Sequence, residues 1–459
     1  MKHEGVDKYN ITEGVIWKQI LIFFFPILLG TFFQQLYNTT DAIVVGRFIG
    51  KQALSAVGGT TGTLINLLVG FFVGLSSGAT VIISQYYGAK KYKDLNDSVH
   101  TAIFMAIVGG AIFMVAGILL APTALKAMGT PEDVIEYSLI YIRIYFIGMI
   151  PNMVYNIGAG ILRAVGDSKR PLYFLIASCF INIALDLLLV VVFRLGIYGV
   201  AIATVLSQCI SAWLVFFVLT KTSEIYQLQT DQIKFHKEKL EQIFKIGLPA
   251  GLQSAMYNIA NIIIQACINS FGTDTVAAWT AFSKIDGLFW MMMGAFGVSI
   301  TTFVGQNYGA EKITRVKKGV NQCLGMCMIS AVVLSSILYF TGQYIYLLFS
   351  TDATVIRIGM EILRFLVPTY FTFVAIEILS GALRGMGNSL IPMLLTCFGV
   401  CGLRVVWIFF VVPIRPDIKN VVFSYPLSWA VTSVLFLLYY KYFWKKHKSQ
   451  SYDFVETQN

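Results

Sequence analysis

Gly160-Ile161-Leu162-Arg163-Ala164-Val165-Gly166-Asp167-Ser168, closed by Pro171, comes back 221 residues later as Gly381-Ala382-Leu383-Arg384-Gly385-Met386-Gly387-Asn388-Ser389, closed by Pro392. The same offset carries Gln85-Tyr86-Tyr87-Gly88-Ala89 onto Gln306-Asn307-Tyr308-Gly309-Ala310, and Arg143 onto Arg364. One constant offset across separate loops marks a duplicated chain, because chance similarity would scatter it. The flanks of the motif decide what is duplicated. On either side run apolar stretches of about 20 residues, the length a helix needs to cross a bilayer core.

Twelve such runs are readable: 16–40, 54–84, 99–121, 134–157, 170–193, 197–220, 243–271, 275–305, 318–341, 354–379, 389–413 and 421–444. They lack the alternation of a lipid-facing barrel strand. Composition agrees: 57% of the 459 residues are hydrophobic and 13% charged, roughly half the charge of a soluble domain. A soluble enzyme, a disordered chain and a disulfide scaffold are excluded. The seven cysteines lie in apolar runs without a neighbouring histidine and read as small core residues. No small-residue cleavage site follows the first apolar run, so no cleavable signal is expected. The expected fold is an all-α membrane protein of twelve transmembrane helices. They form two pseudo-symmetric six-helix bundles around a central cleft. The lobes are expected at 1–220 and 243–445, with a cytoplasmic linker at 221–242 and a cytoplasmic tail at 446–459.

The placement of charge orients this scheme. The termini with the adjoining Lys18 and Lys441, and the loops 85–98, 158–171, 221–245, 307–320 and 380–390, hold 23 of the 34 Lys and Arg residues; the opposite loops, with the adjoining Arg357, hold seven. Cytoplasmic loops are the basic ones, so both termini are expected in the cytoplasm of a multi-pass cell-membrane protein. Six spans per half make the repeats parallel, the arrangement by which secondary transporters rock around a site between their halves.

The chemistry is sparse. No phosphate-binding loop, HExxH or Cys/His cluster is present, which leaves no cofactor, no ATP-driven step and no nucleic-acid partner to expect. Gly74-Leu75-Ser76-Ser77-Gly78 matches a hydrolase nucleophile pattern but has no strand before it. Its glycines instead extend a ridge, Gly58, Gly62, Gly70, Gly74 and Gly78, on which another backbone can pack. No catalytic residue is assigned. Ionisable residues within spans are costly and are functional candidates by default. Asp41 ends the polar run Gln34-Gln35-Leu36-Tyr37-Asn38-Thr39-Thr40. Asp186 lies four residues after Asn182, on the same helical face. Such carboxyls can bind and release a proton or coordinate Na+. Glu377 and Arg404 stand alone in their runs. Lys284 and Asp286 sit near a span end, and Arg357, Glu361 and Arg364 read as an ion-pair ladder. Tyr141, Tyr145 and Tyr155 are read either as cavity lining or as packing.

These patterns resemble the multidrug and toxic compound extrusion (MATE) family along nearly the whole chain. The resemblance rests on Pro26…Gln34…Asn38…Asp41…Val45-Gly46…Gly50, on the two duplicated loops, and on Asn182…Asp186…Gly196…Gly199-Val200-Ala201…Ala203-Thr204. It implies efflux of small-molecule organic cations across the lipid bilayer in exchange for Na+ or H+. The family's N-lobe cation site would fall on Asp41, Asn182, Asp186, Thr204 and Asn156, with no metal beyond Na+ at Asp41 and Asp186. Gln34, Tyr37, Asn38, Tyr141, Tyr155, Asn258, Glu377 and Arg404 would line the substrate cleft. Many relatives carry an acid in the seventh span, whereas here Gln253-Ser254-Ala255-Met256-Tyr257-Asn258 has none. An export protein or flippase for lipid-linked precursors, from the same superfamily, is the alternative.

Overall fold

The computed structural model describes residues 11–456, and among them there is helix and no strand. Residues 1–10, assigned above to the first lobe, and 457–459, assigned to the tail, lie outside the described residues. The first half contains α1 (Ile16–Phe48), α2 (Lys51–Gly58), α3 (Thr60–Gly88), α4 (Tyr92–Ala127), α5 (Glu132–Ile147), α6 (Met149–Ala164), α7 (Lys169–Asp186) and α8 (Ile197–Lys221). The second contains α9 (Lys237–Asn269), α10 (Thr273–Gly309), α11 (Ile313–Leu347), α12 (Ala353–Leu366), α13 (Val374–Gly385), α14 (Leu390–Thr396), α15 (Leu403–Val406) and α16 (Ile418–Glu456).

Among the described residues, ten helices are long and apolar enough to cross a membrane, and α5 with α6, bent by 50° at Gly148, makes an eleventh. The twelfth expected span is α9. Its 33 residues make roughly 50 Å of helix at 1.5 Å per residue, but Gln253, Tyr257, Asn261, Gln265 and Asn269 recur every fourth position and dilute its hydropathy.

Several spans are interrupted. The run 354–379 is α12, a 3-10 stretch at Val367–Thr372 containing Pro368, then α13. Proline has no N–H to donate and cannot continue an α-helical ladder unbroken. The run 170–193 passes into a π-helical turn at Leu187–Val192. The run 389–413 contains two such turns, Cys397–Gly402 and Trp407–Val411. Trp407 lies 221 residues after Asp186, so this interruption is duplicated along with the loops.

The chain resolves into two compact units. The first is built from Leu21–Ser254 with Gly305–Lys312, and the second from Ile16–Ile20, Ala255–Val304 and the chain from Ile313 onward. Changes of unit fall inside α1, α9 and α10.

Within the first unit the glycine ridge of α3 meets α9. A Cβ on Gly74 would lie 2.5 Å from Gly251 N, and one on Gly78 would lie 2.7 Å from Gly247 N and overlap the Ile243 carbonyl. The approach is reciprocal: a Cβ on Gly247 would strike the Leu75 carbonyl, and one on Gly251 would lie 2.8 Å from Phe71 O. Gly58 faces open space and Gly62 the Val57 carbonyl at the end of α2, so the ridge packs on α9 only in its second half. Ser76, in the pattern dismissed above, lies inside α3 and donates to Val73 O at 2.9 Å. The duplicated QxxG segments also touch each other. A Cβ on Gly88 would overlap Gln306 O, and one on Gly309 would overlap Gln85 O.

The polar linker is docked rather than slack. His100 on α4 donates from Nδ1 to Asn96 O at 2.8 Å, and its Nε2 accepts from Gln229 N at 3.0 Å. Lys239 Nζ donates to Asp94 Oδ1 at 2.6 Å and to Tyr86 Oη at 3.0 Å. Burial alone would lower the Lys239 pKa, but these hydrogen bonds to Asp94 and Tyr86 outweigh it and hold it above the ordinary lysine value.

Candidate functional site

Three helices of the first unit bring four predicted residues together. Asp41 comes from α1, Asn182 and Asp186 from one face of α7, and Thr204 from α8. Asp186 is the last α-helical residue before the π turn, and such turns re-aim the side chains around them. All four are sealed from water: Asp41 is 4% exposed, Asn182 1%, Asp186 0% and Thr204 2%. The Thr204 hydroxyl donates to Val200 O at 3.0 Å and stands 3.5 Å from Asp41 Oδ2. Asp186 and Asn182 adjoin the same carboxyl. Nevertheless Asp41 Oδ1, both carboxyl oxygens of Asp186 and both amide atoms of Asn182 have no hydrogen-bond partner.

Buried polar atoms are ordinarily paired, so this clustering of open acceptors has chemical meaning. Two adjacent carboxylates in a low-dielectric interior repel each other, and a shared proton or a cation relieves the repulsion. Among the described residues no group of three or more His, Cys, Asp and Glu forms a metal cluster. The donors are all oxygen, which suits a proton or a hard cation and not a thiophilic metal.

A tyrosine wall surrounds the pair. Tyr37, one turn before Asp41, and Tyr141 on α5 lie within electrostatic range of the Asp41 carboxyl, as does Cys179 on α7. Tyr141 and Tyr145 stack with ring centroids 6.3 Å apart. Gln208, one turn beyond Thr204, reaches Tyr145 and keeps a buried Oε1 open. Cys179, read above as a core residue, and Gln208, not singled out, both follow from helical spacing to Asn182 and Thr204.

Other predicted residues point elsewhere. Asn156 donates to its own helix, to Asn152 O at 2.9 Å and Asn152 Oδ1 at 3.0 Å. The Tyr155 hydroxyl donates to Pro171 O at 3.4 Å. Gln34 and Asn38 are exposed along α1, where Asn38 faces Gln35.

In the second unit, Asn258 is half-buried on α9 and Glu377 lies in the first turn of α13. The Glu377 carboxyl presses so closely on Gly297 that any Cβ there would overlap it. Arg404 is 1% exposed. Asp286, read with Lys284 as lying near a span end, accepts from Tyr370 Oη at 2.5 Å and Trp290 Nε1 at 2.6 Å. The expected ladder closes differently as well: Glu361 pairs with Arg357 at 4.0 Å and with Lys419 at 3.6 Å.

The MatE family model matches residues 26–188 and, a second time, residues 249–410. The chain belongs to the MATE family. The double match falls on the two copies of the repeat. The chain is 31% identical over 441 residues to the probable multidrug resistance protein YoeA of Bacillus subtilis, covering 94% of this chain and 95% of that one. It is 24% identical to the probable multidrug resistance protein NorM of Thermotoga maritima, covering 87% of each, and 22% identical to the multidrug export protein MepA of Staphylococcus aureus, covering 89% and 92%. Among solved structures, an outward-facing multidrug resistance MATE family transporter of the MOP superfamily superposes with a TM-score of 0.89 at 20% identity, covering 97% of this chain and all of that one. A MOP superfamily transporter of Pyrococcus furiosus, described as having a binding pocket of reverse polarity, gives 0.88 at 20% identity, covering 96% and 98%. At that identity the likeness establishes the fold. As a MATE protein the chain is a multi-span membrane transporter and not an enzyme.

Proposed function

We propose that this MATE protein is a secondary active multidrug efflux transporter that exports organic cations in exchange for Na+ or H+ by alternating access. We place it in the cell membrane with both termini cytoplasmic. The observation that carries the reading is the pair Asp41 and Asp186, buried side by side with three carboxyl oxygens unpaired. A cationic cargo and a coupling ion compete for the same carboxyls, and such competition converts an inward ion gradient into outward export. The charge moved through the membrane potential supplies about 2.3 kcal/mol per 100 mV. The names of relatives such as YoeA and MepA support the multidrug part of this reading. Asp41, Asn182, Asp186 and Thr204 are assigned to the cation, and the wall of Tyr37 and Tyr141 to the apolar body of the cargo.

The test uses purified protein in liposomes loaded with a fluorescent organic cation, under an imposed Na+ gradient and then an imposed pH gradient. Flux driven by one gradient and abolished by Asp41→Asn is expected. Equal flux in wild type and Asp41→Asn would refute the assignment. Export of an acidic, lipid-linked precursor is a second reading, favoured by the buried Arg404. The same liposomes with a labelled anionic lipid in place of the organic cation separate the two.

A further inference from the structure

The first unit buries a pair of carboxyls with open oxygens; the second buries a guanidinium with an open donor. Arg404 lies on α15, a single α-helical turn between the π turns Cys397–Gly402 and Trp407–Val411. Its Nε–H donates to Ser428 Oγ at 2.9 Å. Its guanidinium carbon lies 4.1 Å from the Tyr425 ring centroid and 5.5 Å from that of Trp429. These contacts hold the cation in place. None of them neutralises it. Among the described residues no carboxylate forms an ion pair with Arg404 within 4.0 Å.

Asp286 lies within electrostatic range, but its two oxygens are already occupied by Tyr370 and Trp290. Arg404 Nη2 is buried with no acceptor. Tyr257, on α9 and within electrostatic range of Arg404, also has a buried hydroxyl with no partner. Two unmet donors, one of them a desolvated guanidinium, share a neighbourhood; Glu377 lies within electrostatic range of Tyr257, but no carboxylate among the described residues pairs with the guanidinium. Guanidinium is the side chain best suited to capture an anionic group when desolvated. The repeat sharpens the contrast. Asn182 and Asp186 correspond to Leu403 and Trp407, so the segment that carries a buried carboxyl in the first half carries a buried guanidinium in the second.

We propose that Arg404 and Tyr257 form an anion-accepting subsite that binds one monovalent anionic acceptor, held by Arg404 Nη2–H and the Tyr257 hydroxyl. Chloride and the carboxylate of an amphiphilic cargo share this chemistry. The subsite does not depend on cation exchange at Asp41 and Asp186, and its test uses binding rather than flux. Trp290, which donates to Asp286, and Trp429, beside Arg404, make intrinsic fluorescence a local reporter.

Purified full-length protein in nanodiscs is titrated in two arms at constant ionic strength. One replaces gluconate by chloride; the other adds octanoate in chloride-free buffer. A saturable fluorescence change is expected in at least one arm. It should weaken at least about tenfold in Arg404→Gln, which removes a charged hydrogen bond, and about three- to tenfold in Tyr257→Phe, which removes a neutral one. Asp41→Asn should leave it unchanged, so failure of the exchange reading would not disturb it. Saturation with chloride alone assigns a free ion, and saturation with octanoate alone assigns a cargo carboxylate. If Arg404→Gln does not fold, Tyr257→Phe decides. No saturable response in wild type, or one identical in the variants, overturns the subsite.

Discussion

Gly78→Ala tests the packing of α3 on α9. A Cβ at residue 78 would stand 2.7 Å from Gly247 N and 2.8 Å from Gly247 Cα. Ordinary contact begins near 3.4 Å, so the shortfall against Gly247 is about 0.7 Å, the Ile243 carbonyl stands closer still, and every obstructing atom belongs to the backbone. No rotamer change can relieve it. The two helices must separate along the segment where Gly74, Gly78, Gly247 and Gly251 interlock. The expected cost is about 1–3 kcal/mol, the usual range for overpacking a close interface. Gly247→Ala forces the same separation from the other side. The double variant should therefore cost less than the sum of the two singles, by about 0.5–3 kcal/mol of coupling. Thermal unfolding in detergent, followed by tryptophan fluorescence, reads each variant against wild type. A Gly78→Ala melting temperature equal to wild type, or strict additivity in the double variant, would refute the reasoning.

Asp186→Asn is expected to bring ion-driven cation flux in liposomes down to the protein-free background while the protein still elutes as wild type does; retained flux would remove Asp186 from the site. Gly297→Ala should destabilise the second unit by about 1–3 kcal/mol in thermal melts, since the new methyl overlaps the Glu377 carboxyl; Glu377→Ala in the same background should recover part of that loss. Lys239→Met should cost about 1 kcal/mol in thermal melts near neutral pH, between exposed and buried ion pairs, because the Asp94 side chain is 39% exposed. Lys239 is held above its ordinary pKa, so its contribution is complete below the unfolded lysine value and is lost only as pH rises through the folded one. The gap between wild type and Lys239→Met should accordingly stay constant from pH 6 to pH 9; a gap that closes within that window would contradict the sign.

The duplication and the all-helical fold were legible because glycine-rich loops and apolar runs of bilayer length are local signals. Asn182 and Asp186 were legible as a pair for a similar reason, their spacing of one helical turn. The interruptions were less so. Pro368 marks its 3-10 stretch in the sequence, but Leu187–Val192 is a run of leucine and valine that reads as uniform helix. The π turn arises where residues after Asp186 pack, which is tertiary information. The setting of Asp286 is not legible for the same reason: the partner that fixes its carboxyl, Tyr370, is 84 residues away. Gly74 and Gly78 announced a close approach without naming the helix that would make it. Asn156 was carried by resemblance alone, and its amide is engaged by Asn152.

The mutual contact of the duplicated loops sets a rule of parity. Gly88 meets the carbonyl of Gln306 as Gly309 meets that of Gln85, which is the reciprocity of a two-fold symmetric, self-complementary interface. Such a pairing closes only when both copies face the same side of the bilayer. Between Gly88 and Gly309 the chain must therefore cross an even number of times. Gaining or losing one crossing would send the second copy to the opposite face and abolish the pairing, whereas a whole helical hairpin could be added or removed with both copies still in register.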